Sequence, residues 1–254
     1  MPLMRLEKCS VKFGGLTALS EVSFQLAHDE ILGIIGPNGA GKTTLFNTVT
    51  GVYPPTSGNV IFDDRVISGL EPYEIARRGI ARTFQNIRLF SSLSVVDNIR
   101  VALIHSLRSG FFGSTLRFKS FQNEEKETAR YISDLLDMFG LSKYKDQPAI
   151  SLPYGDQRRV EIARALASHP KLLLLDEPAA GMNSTEKAEL MKLIHTIKEQ
   201  FKLSVILIEH DMKVVMGVCK RIVVFDYGVQ IAEGTPEEIQ ASPAVIEAYL
   251  GEAV

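Results

Sequence analysis

Tryptophan is absent from the 254 residues, and cysteine occurs only at Cys9 and Cys219. Two cysteines this far apart make no metal-ligand spacing, and with no His/Cys cluster the chain offers nothing for zinc. Buried free thiols in a reducing compartment are the expectation. An excess of either charge is lacking too: 28 Lys and Arg stand against 30 Asp and Glu, a net charge of −2. That balance argues against a broad basic face and against nucleic acid as a partner. Long apolar runs are missing. Segments such as Leu172–Leu175 and Val205–Ile208 are bounded by charge and have strand length, far short of the ~18–20 residues of a membrane span. The opening Met1-Pro2-Leu3-Met4-Arg5 carries no signal-peptide stretch. Any membrane role is therefore expected to run through a partner.

What is present suffices for a sizeable core, since 45% of residues are apolar. The length suits one large α/β domain, or one with a subdomain let into it. Residues 4–12 and 22–27 read as strands around a Gly14-Gly15 turn, residues 31–35 as a buried strand, and Lys42–Thr50 as the helix after it. Tyr53-Pro54-Pro55-Thr56-Ser57-Gly58 is a strong turn cluster. Asn59–Phe62 and Arg65–Ile67 suggest a small hairpin. Residues 94–169 read mainly as helix, with Ala129, Ile132, Leu135, Leu136 and Phe139 at helical spacing. Residues 108–121 are less regular and read as a loop or a contact surface. The β/α alternation then returns with strands at Lys171–Leu175 and Val205–Ile208 around a helix at Glu186–Gln200. A hairpin at Arg221–Phe225 and Val229–Ala232 and two short helices over Pro236–Leu250 follow. Continuously apolar strands imply a sheet covered on both faces, hence parallel α/β.

Gly36-Pro37-Asn38-Gly39-Ala40-Gly41-Lys42-Thr43 matches G-x-x-x-x-G-K-[ST] at every fixed position, between a predicted strand and the helix it opens. Its glycines permit close backbone approach, so successive N–H groups can ring a phosphate, and the helix adds free N–H groups and its positive dipole end. Lys42 can reach the β- and γ-phosphates, the Thr43 hydroxyl can ligate Mg²⁺, and Thr44 is expected among the nucleotide-binding residues. Leu172-Leu173-Leu174-Leu175-Asp176-Glu177 is an apolar strand ending in two acids, where ligands of open α/β sheets lie. Asp176 is placed to orient magnesium and Glu177 to polarise an attacking water. His210 ends the next strand in the same way and could hydrogen-bond the γ-phosphate. His28, His105, His169 and His195 have no such context and read as structural.

This motif set resembles the ATP-binding cassette (ABC) family along nearly the whole chain. The resemblance implies a P-loop NTPase (RecA-like) α/β core with an antiparallel β subdomain, residues 1–85 and 166–254. It also implies an inserted α-helical subdomain over 86–165. Thr83-Phe84-Gln85 looks like the Q-loop, by which Gln85 would contact magnesium and the attacking water. Leu152-Pro153-Tyr154-Gly155-Asp156-Gln157 resembles the signature, which in the family binds the γ-phosphate held by the opposite subunit. Pro153 and Tyr154 replace the usual serine and first glycine, so Gly155 and the helix N-terminus must supply that anion site. Ala180-Gly181-Met182-Asn183 resembles the D-loop. Phe13 lies where an aromatic residue stacks on adenine in the family; a core phenylalanine is the other reading.

Within the family, the signature, D-loop and Ile208–Met212 segments look most like the ATPase of the high-affinity branched-chain amino-acid importer. Other transporters, including a lipopolysaccharide exporter, and non-transport ABC ATPases are the alternatives. The implied setting is the cytoplasmic face of the cell membrane. Transmembrane permease subunits, a second ATPase subunit and, indirectly, an external substrate-binding protein would be the partners. Leu89, Phe90, Phe111 and Phe112 are candidates for the permease contact or for core packing.

Overall fold

The computed structural model describes residues 1–103 and 119–250. Most of segment 108–121, with His105, Phe111 and Phe112, lies outside them. The described residues divide into two compact units, Met1–Arg82 with Lys171–Val254, and Thr83–Pro170.

The first unit holds two sheets. β1 (Met4–Phe13), β2 (Leu16–Leu26), β4 (Ser57–Phe62) and β5 (Arg65–Val66) form an antiparallel sheet in the order β2-β1-β4-β5. Gly14-Gly15 closes the β1–β2 hairpin, pairing Phe13 with Leu16. The second sheet contains β3 (Ile31–Ile35), β6 (Ile80–Arg82), β7 (Leu172–Asp176), β8 (Ser204–Ile208), β9 (Arg221–Asp226) and β10 (Val229–Gly234), in the order β10-β9-β3-β8-β7-β6. All its neighbours run parallel except β9 and β10, an antiparallel hairpin. Every residue of β3, β7 and β8 is buried, as expected of strands covered on both faces. α1 (Lys42–Val49) follows β3, and α2 (Pro72–Arg77) precedes β6.

Those last two short elements, α2 and β6, are not legible in the sequence. Only Ile75 is buried on α2, and β6 is a three-residue edge strand, too brief for a periodic pattern. Cys9 and Cys219 are both buried free thiols. Burial pushes Cys9 up to about 11 and Cys219 to about 12, so neither is a reactive thiolate at neutral pH.

The second unit contains α3 (Val95–Leu103), α4 (Lys119–Met138) and α5 (Tyr154–Ala167), with 3₁₀ turns at Ser142–Tyr144 and Ala149–Ser151 between α4 and α5. Ile132, Leu135, Leu136 and Phe139 are buried as their spacing predicts. Ala129, one turn earlier, is exposed: its methyl is small enough to leave in water at little cost. His169 stacks on Tyr131, with ring centroids 4.6 Å apart, a packing role. In the first unit α6 (Ser184–Phe201) precedes β8, α7 (Met212–Val218) follows it, and α8 (Pro236–Ala241) and α9 (Pro243–Leu250) end the described chain. His195 meets the Gly217 carbonyl at 3.2 Å, linking α6 to α7.

Candidate functional site

β3 is flanked by β8 and β9, and the strand order reverses around it; the carboxyl end of such a strand is where ligands of open α/β sheets bind. The Gly36–Thr43 loop begins there. Gly41 caps α1 at φ 97°, and a Cβ on it would sit 2.7 Å from the Ala18 carbonyl oxygen. Only glycine fits so near β2 with that backbone. Gly39, at φ 84°, has open space on its Cβ side, so the loop's backbone is approachable. No side chain caps α1, which leaves its first N–H groups for an anion. The Gly228 amide donates to the Ala40 carbonyl (3.1 Å), fixing the loop to the β9–β10 turn.

Lys42 is buried, and its Nζ donates to the Gly36 and Pro37 carbonyls at 2.6 and 2.7 Å, so the ammonium curls over the loop it belongs to. Burial lowers its pKa, and the charges of Glu177 and Asp176 oppose that fall. Loop and acid pair therefore share one electrostatic environment. Thr43 and Asn38 are exposed, while Thr44 and Pro37 are half-buried.

Asp176 is buried at the end of β7, and its Oδ2 accepts from Arg82 at 2.9 Å. Arg82 also donates to Asn47 Oδ1 on α1 (2.6 Å), so one guanidinium ties the acid to the helix behind the phosphate loop. Glu177 follows in a left-handed backbone, φ 45°, which costs a non-glycine residue about 1–3 kcal/mol. Its amide donates to the Ile208 carbonyl (2.9 Å), holding the chain in that turn. The turn brings the Glu177 carboxylate to 3.6 Å from His210 Nδ1, with His210 largely exposed.

Glu209, between Ile208 and His210, has a role that its local sequence does not mark. It is 1% exposed and accepts from Ala179 (2.7 Å), His210 (3.2 Å) and Asp211 (3.4 Å) amides. It thereby fastens the β7 exit to the β8 exit. Asn183 in the 180–183 segment caps α6, accepting from Thr185 and Glu186 amides, a role asparagine fills as well as aspartate. Phe13 is 43% exposed at the hairpin tip, so it is not a core phenylalanine.

In the second unit Pro153 caps α5 without a side-chain bond, and Gly155, Asp156 and Gln157 lie half-buried in its first turn. Gln157 Nε2 donates to the Leu152 carbonyl at 2.8 Å. Tyr154, where the signature usually has glycine, lies exposed over α5 with its hydroxyl 3.3 Å from the buried Arg158. Arg158 reaches the Phe84 and Gln85 carbonyls at 2.5 and 2.7 Å, and Glu161 accepts from the Phe84 and Arg88 amides. The backbone at Gln85 is thus fixed by α5. Arg158 and Glu161 escaped notice in the sequence because a charged pair on an amphipathic helix reads as solvated. Leu89 is half-buried and Phe90 exposed beneath the Arg164 guanidinium.

An uncapped helix behind a glycine loop, a curled lysine and a strand-end acid pair define a P-loop nucleoside-triphosphatase. Similarity to known proteins narrows this class. The family described as ABC transporter matches residues 19–180, and that described as branched-chain amino acid ATP-binding cassette transporter matches residues 229–254. The high-affinity branched-chain amino acid transport ATP-binding protein LivG of Escherichia coli (strain K12) is 45% identical over 252 residues, 99% of each chain. The crystal structure of the ADP conformation of MJ1267, an ATP-binding cassette of an ABC transporter, superposes with a TM-score of 0.85 at 30% identity, covering 99% of this chain and 100% of that one. A dimeric post-hydrolysis state of the cassette MJ0796 bound to ADP and Pi gives 0.76 at 26% identity, covering 92% and 98%. The chain belongs to the ABC transporter family, as an ATP-binding and ATP-hydrolysing subunit.

Proposed function

We propose that this ATPase energises import of branched-chain amino acids through separate membrane permease subunits, from the cytoplasmic face of the membrane. The observation that carries it is 45% identity, end to end, with a branched-chain amino acid transport ATPase. No described helix is long and apolar enough to cross a membrane. An external substrate-binding protein would deliver the solute to them.

The loop amides, the α1 N-terminus and Lys42 bind the triphosphate, and Phe13 supports the adenine. Thr43 and Asp176 would hold magnesium through oxygen. Among the described residues no group of three or more His, Cys, Asp or Glu could enclose a metal. A sparse set of hard oxygens fits magnesium, which keeps waters and takes phosphate oxygens as ligands. When bound it neutralises charge developing on the β- and γ-phosphoryl oxygens.

Glu177 accepts a hydrogen bond from the attacking water and aligns it with the γ-phosphorus; His210, 3.6 Å away, donates toward the γ-phosphate. A second subunit, a copy or a related ATPase, presents its own Leu152–Gln157 segment to this nucleotide, so closure depends on the γ-phosphate. Reconstitution tests the proposal: proteoliposomes holding the chain with its co-purifying permease should accumulate leucine only with ATP inside the ATPase compartment. Uptake of another solute class, or permease-free isolation from membranes, would overturn it.

A further inference from the structure

We infer that Tyr53 is a positioning residue for the nucleotide base, acting through Phe13. This rests on the reading of Phe13 as the base support. The Tyr53 and Phe13 rings meet edge to face, with centroids 5.0 Å apart and planes at 78°. Both are part-exposed, Phe13 at 43% and Tyr53 at 39%, so the pair forms a surface rather than core.

Phe13 needs such a partner. It is the last residue of β1, next to a Gly14-Gly15 tip where a Cβ on either glycine would meet nothing within 4 Å. The tip gives its ring no wall, and among the described residues the aromatic ring it meets is Tyr53.

Tyr53 is built to be that wall. Its amide reaches the Asn47 carbonyl (3.4 Å) in the last turn of α1. Pro54 and Pro55 follow, fixing their own φ and confining Tyr53 to extended backbone. The turn is then fastened to β1: the Thr56 amide donates to the Ser10 carbonyl (2.7 Å), and the Lys12 amide to Thr56 Oγ1 (3.0 Å). Tyr53 thus carries rigidity from the phosphate-loop helix to the tip residue and holds the Phe13 ring in one orientation. A base stacking on Phe13 does not have to order it, so that entropy is not charged to binding.

The test is calorimetric titration of the full-length chain with MgATP and, separately, with inorganic tripolyphosphate, which lacks a base. An edge-to-face pair contributes about 0.5–1.5 kcal/mol, so Tyr53→Ala should weaken ATP about two- to tenfold and leave tripolyphosphate unchanged. Tyr53→Phe, which keeps the ring, should bind ATP like the parent. Tyr53→Leu serves in place of alanine if that variant does not fold. Unchanged ATP affinity in the ring-less variants, or an equal loss for both ligands, overturns the inference. Phe13→Ala separates the two layers: if it binds ATP normally, the base-support reading itself fails; if it weakens ATP while Tyr53→Ala does not, only the role of Tyr53 falls.

Discussion

Arg158 and Glu161 lie 2.7 Å apart on α5 with side chains 0% and 1% exposed, and between them they hold the main chain at Phe84, Gln85 and Arg88. Exposed helical pairs at this spacing contribute a few tenths of a kcal/mol. Here removing one partner strands the other charge in the interior, which costs about 3–5 kcal/mol. Arg158→Met is expected to destabilise the protein by that amount in urea unfolding. A loss below about 1 kcal/mol, the range of an exposed pair, would contradict this account.

Glu177→Gln should leave ATP binding intact and lower turnover about 10²–10⁴-fold, the span typical of a positioned base. The amide keeps the shape of the carboxylate and the left-handed turn at φ 45°, so the defect is chemical rather than structural. An ATP-bound dimer should accumulate, read by size-exclusion chromatography with MgATP. Hydrolysis near the parent rate would remove Glu177 from its assigned role.

Lys42→Ala addresses binding rather than turnover. The ammonium is held by two carbonyls of its own loop and feels both Asp176 and Glu177. Charge-assisted hydrogen bonds contribute about 1.5–3 kcal/mol, so ATP affinity should fall about 10- to 100-fold. ADP should suffer less, since it lacks the γ-phosphate. Equilibrium binding of both nucleotides decides it; unchanged ATP affinity would refute the cradle.

The parts of this site legible beforehand are those where local sequence carries the physics. A glycine pattern between a strand and a helix states its own backbone requirement, and a leucine run ending in Asp176-Glu177 marks a carboxyl end in a parallel sheet. What stayed hidden depends on neighbours distant in the chain. Arg82 meets Asp176 across 94 residues, and Arg158 meets Phe84 across 74. No spacing rule predicts such pairings. The edge strand β6 was hidden for a different reason: three residues are too few for periodicity, and its pairing to β7 is set by tertiary contact.

Glu209 supplies a pH test. Burial raises its pKa above the ordinary carboxylate range, against the lowering effect of the Ala179, Asp211 and His210 amides. The folded chain therefore holds this proton more tightly than the unfolded chain. For an acid shifted upward, that stabilisation is complete below the unfolded-state value and is lost as pH rises through the folded-state value. Glu209→Gln keeps an acceptor oxygen for the Ala179 amide but no longer titrates. The stability of the parent relative to this variant should therefore fall as pH rises from about 4 toward neutrality. Urea unfolding of both proteins at a series of pH values measures the difference. A difference that grows in the parent's favour over that interval would mean the three amides outweigh burial, and that Glu209 is a stabilised anion joining the two strand ends.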